Sequence, residues 1–161
     1  WLIALAETFK SGVEDRGLWI ALWDNKKVTH HAEKITQAIC RHGWMAHCEA
    51  ANVDITQEAE TGRGPVDFKF SQGWSMRGLI EVKHIDNPQF FHGAEVQLPI
   101  YLRSEQVPFG VYLCVGFSDK DFKPARLDVV RATCESIAER SGMRIHPMFV
   151  DARRPKSASK A

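Results

Sequence analysis

Residues 61–71 read Thr-Gly-Arg-Gly-Pro-Val-Asp-Phe-Lys-Phe-Ser, and residues 78–83 read Gly-Leu-Ile-Glu-Val-Lys; their reading decides the fold. Glycines 62, 64, 73 and 78, with Pro65, punctuate two consecutive apolar runs as a β-hairpin requires. Side chains alternate across a strand, so Phe68 and Phe70 face one side while Asp67, Lys69 and Ser71 face the other. Glu81 and Lys83 share a face by the same rule. Leu79, Ile80 and Val82 make their strand too apolar for a solvated edge. An isolated charge is costly to desolvate, so Glu81 and Lys83 are expected to be paired, bound to a metal or employed in chemistry.

Two carboxylates converging from adjacent strands form a hard-oxygen site suited to Mg²⁺ or Mn²⁺, and a nearby lysine positions or polarises a water. The order Pro-Val-Asp and then Glu-Val-Lys resembles the PD-(D/E)xK nuclease superfamily. That resemblance implies that Asp67 and Glu81 hold the metal, with the Val82 carbonyl as a further ligand, and that Lys83 serves the attacking water. Pro65 departs from the motif in being separated from Asp67 by Val66. Downstream, Gln97 and Tyr101 give Gln-x-x-x-Tyr, as in the RecB-like members, where both residues face the active site. Gln97 is carried over as a catalytic residue and Tyr101 as a substrate contact. Lys69 is placed to meet a phosphate. The competing reading is an ion pair between Glu81 or Asp67 and Lys83 or Lys69 on a half-exposed sheet.

Upstream, Ala32, Ile35, Ala38 and Ile39 recur at helical spacing over residues 29–41, with Thr29 as cap and Gly43 as terminator. Glu33 and Gln37 lie one turn apart beside this stripe, with His30 on the same side. By resemblance, Glu33 completes the metal shell, with His30 as the second candidate because some RecB-like members use a histidine from this region. Glu58, Glu60 and Glu95 are the alternatives; the other reading is a solvated helix face for Glu33, His30 and Glu95 and exposed loop charges for Glu58 and Glu60.

Around this centre, residues 2–10 suit a helix stopped by Ser11-Gly12, and the apolar cluster of Trp19, Ile20, Leu22 and Trp23 ends at Asp24-Asn25. Residues 44–49 read as a strand leading to Ile55, and the polar residues 56–61 as a loop. Asn87-Pro88 marks a helix start, with the helix running to Ser104; Pro99 inside it is expected to kink it. Residues 109–117 form a continuous apolar run, hence a buried central strand. A helix over 127–139 and a last strand over 144–150 follow. Alternating strands and helices beside a hairpin predict an α/β fold with a central mixed β-sheet flanked by helices, the restriction-endonuclease-like sandwich of the resembled family.

The 161 residues fit one such domain, and 44% hydrophobic content argues for a folded globule. A formal charge of +1 gives no global sign of nucleic-acid affinity, so any binding surface is a local patch. Three segments are expected: 1–28, helical and continuing from an upstream domain of the same polypeptide; 29–152, the nuclease domain; and 153–161, a basic disordered tail carrying Arg153, Arg154, Lys156 and Lys160. No membrane span or signal sequence is present, which suits a cytoplasmic protein. The four cysteines lack a CxxC pair and read as buried thiols; a zinc set of Cys40, His42, His47 and Cys48 has unfavourable helical spacing.

The function expected from the resemblance is metal-dependent hydrolysis of nucleic-acid phosphodiesters, duplex DNA by default, by an endonuclease of a bacterial restriction or phage-defence protein. Two other classes stay open: an inactive nuclease-like module that docks nucleic acid or assembles proteins, and a plain α/β interaction domain. Homo-oligomerisation is open as well.

Overall fold

The computed structural model describes residues 1–24, 26 and 28–155. Its centre is a five-stranded sheet in the order β1 (Asp54–Glu60), β2 (Pro65–Gln72), β3 (Met76–His84), β4 (Phe109–Gly116), β5 (Arg144–Asp151). The first three strands form an antiparallel meander, whereas β3, β4 and β5 run parallel. Parallel strands need crossovers, and helices supply them. The expected α/β class with a mixed sheet is what the chain adopts.

Two cores lie on opposite faces of the sheet. On one, α1 (Leu2–Asp15) and α2 (Glu33–Ala50) place Leu5, Phe9, Cys40 and Trp44 against Phe68, Phe70, Ile80 and Val82. On the other, α3 (Phe90–His92), a π-turn (Gly93–Gln97), α4 (Leu98–Ser104) and α5 (Pro124–Ser141) cover Leu79, Tyr112, Cys114 and Ile145. Because β4 is covered on both faces, it reads as a continuous apolar run rather than an alternating one, and β3 is buried from Gly78 to His84 although it carries Glu81, Lys83 and His84. Leu79, Glu81 and Lys83 therefore belong to one face of β3, and Ile80 and Val82 to the other.

Several element boundaries differ from the sequence expectation. Residues 44–49 are not a strand: α2 continues to Ala50, because Trp44 and Cys48 prolong the buried stripe of Thr36, Gln37 and Cys40. Gly43 sits on the exposed side of that helix and does not end it. Nor does Thr29 cap it; the helix begins at Glu33, and the Thr29 hydroxyl bonds the Asp24 carboxylate at 3.3 Å. Residues 56–60 of the expected loop form most of β1. That strand lies at the edge of the sheet and is largely exposed, so it needs no apolar alternation. Similarly, α1 runs through Ser11-Gly12 to Asp15, and α5 starts at Pro124, with proline in the first turn.

The expected helix over residues 87–104 is broken into α3, the π-turn and α4. Pro99 has no N–H to donate, and the Leu98 N–H reaches back five residues to the Gly93 carbonyl. Beneath the turn, the Tyr112 hydroxyl donates to the Phe90 carbonyl and leaves no room for a side chain at Gly93. In the terminal segment, Arg153 pairs with Asp151 and Asp119, and Arg154 stacks over Trp23 at 5.2 Å. Lys156 and Lys160 lie outside the described residues. The four cysteines are free and buried.

Candidate metal and carboxylate site

The site forms where the ladder between β2 and β3 ends and the two strands part. Their ladder extends to the pair Phe68 and Ile80, while β3 continues to His84. On that edge, carboxylates take the backbone donors that a strand would otherwise engage. Asp67 Oδ2 accepts the Val82 N–H at 2.8 Å, and Glu33 Oε2 accepts the His84 N–H at 2.8 Å. The Asp67 N–H in turn donates to Glu81 Oε2 at 3.4 Å. In extended backbone the N–H and C=O of one residue project to the same side, so the Val82 carbonyl opens on the edge where Asp67 sits.

Side chains from α2 complete the cluster. Gln37 Nε2 donates to Asp67 Oδ1 at 2.8 Å, and Lys83 Nζ lies 3.3 Å from Glu33 Oε1 and 3.4 Å from Glu81 Oε1. Asn87, just past β3, donates to Glu33 Oε2 at 3.1 Å. Glu81 is 3% exposed and Lys83 8%, so these charges interact with little solvent between them.

Burial raises the Asp67 carboxyl to about 6; the Glu33 charge adds to this, and the Val82 N–H, Lys83 and Gln37 oppose it. Burial, and then the Asp67 charge, pushes Glu81 up to about 8. Burial alone would lower Lys83, but Glu81, Glu33 and Asp67 outweigh it and hold the ammonium above its ordinary value. One ammonium thus faces three carboxylates, and the excess negative charge is relieved by a proton or by a cation. Carboxylate oxygens with an outward-facing backbone carbonyl are the donor set that a hard divalent ion takes, so the residues present fit Mg²⁺ or Mn²⁺.

The structure brings Asp67, Glu81, Lys83 and Glu33 together, with Glu33 bonded to Lys83, His84 and Asn87. Tyr101 borders them: its hydroxyl lies 3.5 Å from where a side chain on Gly64 would begin, and burial followed by the Glu81 and Asp67 charges raises its pKa. No hydrogen bond joins Gln97 to the four. Its Oε1 is buried and has no hydrogen-bond partner among the described residues. The Lys69 ammonium is engaged by Glu105. Glu58 pairs with Lys34 at the surface, Glu60 accepts the N–H groups of Gly62 and Gly64, and Glu95 is exposed. His30, the second candidate for that role, lies against Asp86, 2.9 Å away. Cys40 and Cys48 point into the core while His42 and His47 are exposed, so these four do not gather.

Sequence reasoning left Gln37 without a role, although its spacing from Glu33 placed it on the same helix face. It passed over Thr36 and His84, and read Asn87 only as the start of a helix. His84 and Asn87 directly follow the Glu-x-Lys strand, yet a single polar residue at a strand end carries no periodic signal.

Fold and site together define an α/β protein with a carboxylate–lysine cluster on the open edge of a mixed sheet. The chain belongs to the family described as Domain of unknown function (DUF8371), whose model matches residues 1–119 and so includes every residue of the cluster. No curated protein and no solved structure matches it. Among the described residues, no helix is long and apolar enough to cross a membrane.

Proposed function

We propose that this chain is a PD-(D/E)xK-type nuclease with the restriction-endonuclease-like fold, hydrolysing phosphodiester bonds of duplex DNA with Mg²⁺ or Mn²⁺. The carrying observation is the convergence of Asp67, Glu81 and Lys83 at the fork of β2 and β3, with Glu33 and Gln37 closing on them from α2. A meander followed by a parallel crossover strand is compatible with that sandwich.

Asp67 and Glu81, with the Val82 carbonyl, would hold the ion. When bound, such an ion supplies Lewis-acid stabilisation of the charge developing on phosphate oxygens and makes a bound water more acidic. Lys83 orients the attacking water, and its ammonium is kept charged by its carboxylate neighbours. Glu33 steers Lys83 through their contact at 3.3 Å. Gln37 fixes the Asp67 carboxylate in one orientation by binding Oδ1. Tyr101 lies at the substrate side of the cluster.

The second reading, a module that docks nucleic acid without cutting it, draws on one observation: Glu33 is committed to Lys83, His84 and Asn87 at once. Incubation with plasmid DNA and Mg²⁺ or Mn²⁺ separates the two. The nuclease reading expects metal-dependent loss of supercoiled substrate, falling by at least about 100-fold in Asp67→Ala and Lys83→Ala, since charge stabilisation of this kind is the largest single term in such sites. DNA retained and uncut by the native protein with either metal would support docking instead.

A further inference from the structure

A second cluster lies on the other side of Glu33. One ligand atom from each of His30, His84 and Asp86 lies within 4.8 Å of the other two. We infer that these residues form a separate site for a borderline transition-metal ion, Zn²⁺ by preference.

Imidazole nitrogens favour Zn²⁺ and its neighbours over Mg²⁺, and two imidazoles with one carboxylate are a common set of three protein ligands for it. The hydrogen bonds of His30 point the same way. Its Nδ1 lies 3.0 Å from the His31 carbonyl, which can only accept, so Nδ1 carries the proton. In the neutral ring the Nε2 lone pair then faces Asp86 Oδ2 at 2.9 Å. Two acceptors at that distance require a cation between them. A second proton on the ring provides one; a metal ion provides another, with a small opening of the gap. Anchoring of one imidazole nitrogen by a backbone carbonyl is also how metal-binding histidines are oriented.

The rings are already held in place. His30 stacks on Phe117 with centroids 4.1 Å apart, His84 meets both rings edge-on, and the Thr36 hydroxyl holds His84 Nε2 at 2.8 Å. His84 is 4% exposed, whereas the side chains of His30 and Asp86 are 26% and 48% exposed. An ion would therefore enter from the Asp86 side and keep a position open to solvent. Bound there, it ties the segment before α2 to the end of β3 and so fixes the approach of Glu33, whose carboxylate accepts the His84 N–H.

The site does not depend on the nuclease reading, and its test is separate. The full chain is titrated calorimetrically with Zn²⁺, and with Co²⁺ while visible absorption is recorded. One Zn²⁺ per chain is expected, with Co²⁺ giving the intense visible bands of a four-coordinate nitrogen–oxygen site. His30→Ala and Asp86→Asn, both at partly exposed positions, should each weaken binding by at least about 100-fold, the upper end of what loss of an outer-shell partner costs. Asp67→Ala should leave it unchanged. Zn²⁺ binding that survives both substitutions, or is lost only in Asp67→Ala, overturns the proposal. So does the absence of binding by the folded native protein, which would leave His30 and Asp86 as a proton-bridged pair.

Discussion

Lys83 is the residue on which the carboxylate cluster balances, since Glu33 and Glu81 share its ammonium. Removing one member of a buried pair leaves charge uncompensated and costs about 3–5 kcal/mol. Here Lys83→Ala should cost the metal-free protein about 3 kcal/mol, the low end of that range, because Glu81 takes up a proton readily. Urea unfolding with and without Mg²⁺ checks this, and the metal should recover part of the loss. The same charges set a pH dependence. Asp67 and Glu81 titrate near 6 and 8 in the fold against ordinary values of 3.8 and 4.5, so the native state binds more protons than the unfolded one. Their contribution is complete at low pH and is lost as pH rises through 8. His84, pulled by burial from 6.5 to about 4, works in the opposite sense: its contribution is present above 6.5 and is lost as pH falls towards 4. Between pH 4 and 6 the two carboxyls outweigh His84, so the net contribution of the three groups falls as pH rises from about 4 to 8, and the gain in Tm on adding Mg²⁺ should be larger at pH 8 than at pH 6. A gain independent of pH would count against the carboxylates as ligands. Of these residues, Asp67, Glu81 and Lys83 were legible because strand alternation is a two-residue rule that a short segment displays. Gln97 was not placed reliably, because a π-turn shifts every side chain after it relative to an ideal helix.

At the scale of elements, α2 shows why a boundary can be misread while the face is right. The stripe that puts Glu33 and Gln37 beside the core was visible from the first turns, but Gly43 and the aromatic Trp44 imitate a helix stop followed by a strand. In the fold, Trp44 is buried against Phe68, with ring centroids 5.2 Å apart, and Gly43 merely interrupts the solvent side. A side chain at Gly43 would meet nothing within 4 Å. Gly43→Ala should then stabilise the protein by about 0.5–1 kcal/mol through the helical preference of alanine over glycine, a gain read as a higher urea midpoint at unchanged slope. A loss of stability there would mean that the helix bends at 43. The strand β1 escaped the sequence reading for the converse reason: at the sheet edge, with mostly exposed side chains, its pairing to β2 rests on backbone hydrogen bonds, which leave no trace in hydrophobic pattern.

For the whole molecule, the family match and the folded unit have different extents. The match covers residues 1–119 and contains the complete carboxylate cluster, yet β5 pairs with β4 along its full length from residue 144 to residue 151. Met148 and Val150 enter the core under α1, while Val130, Cys134, Ile137 and Ile145 supply the core under α4 and α5. Cutting the chain after residue 119 would strip both cores at once and turn β4, a central strand buried on both faces, into an exposed apolar edge. Each large apolar side chain taken from a core costs about 2–5 kcal/mol, and the loss of several exceeds the 5–15 kcal/mol stability of a typical domain. The 1–119 fragment is therefore expected to lack a cooperative thermal transition and to aggregate. The full chain should unfold in one step, with β3, β4 and β5 amides exchanging only through global opening. A 1–119 fragment that melts cooperatively and still protects the β3 amides would show that the site's scaffold is complete without α5 and β5, and would divide the molecule where this packing does not.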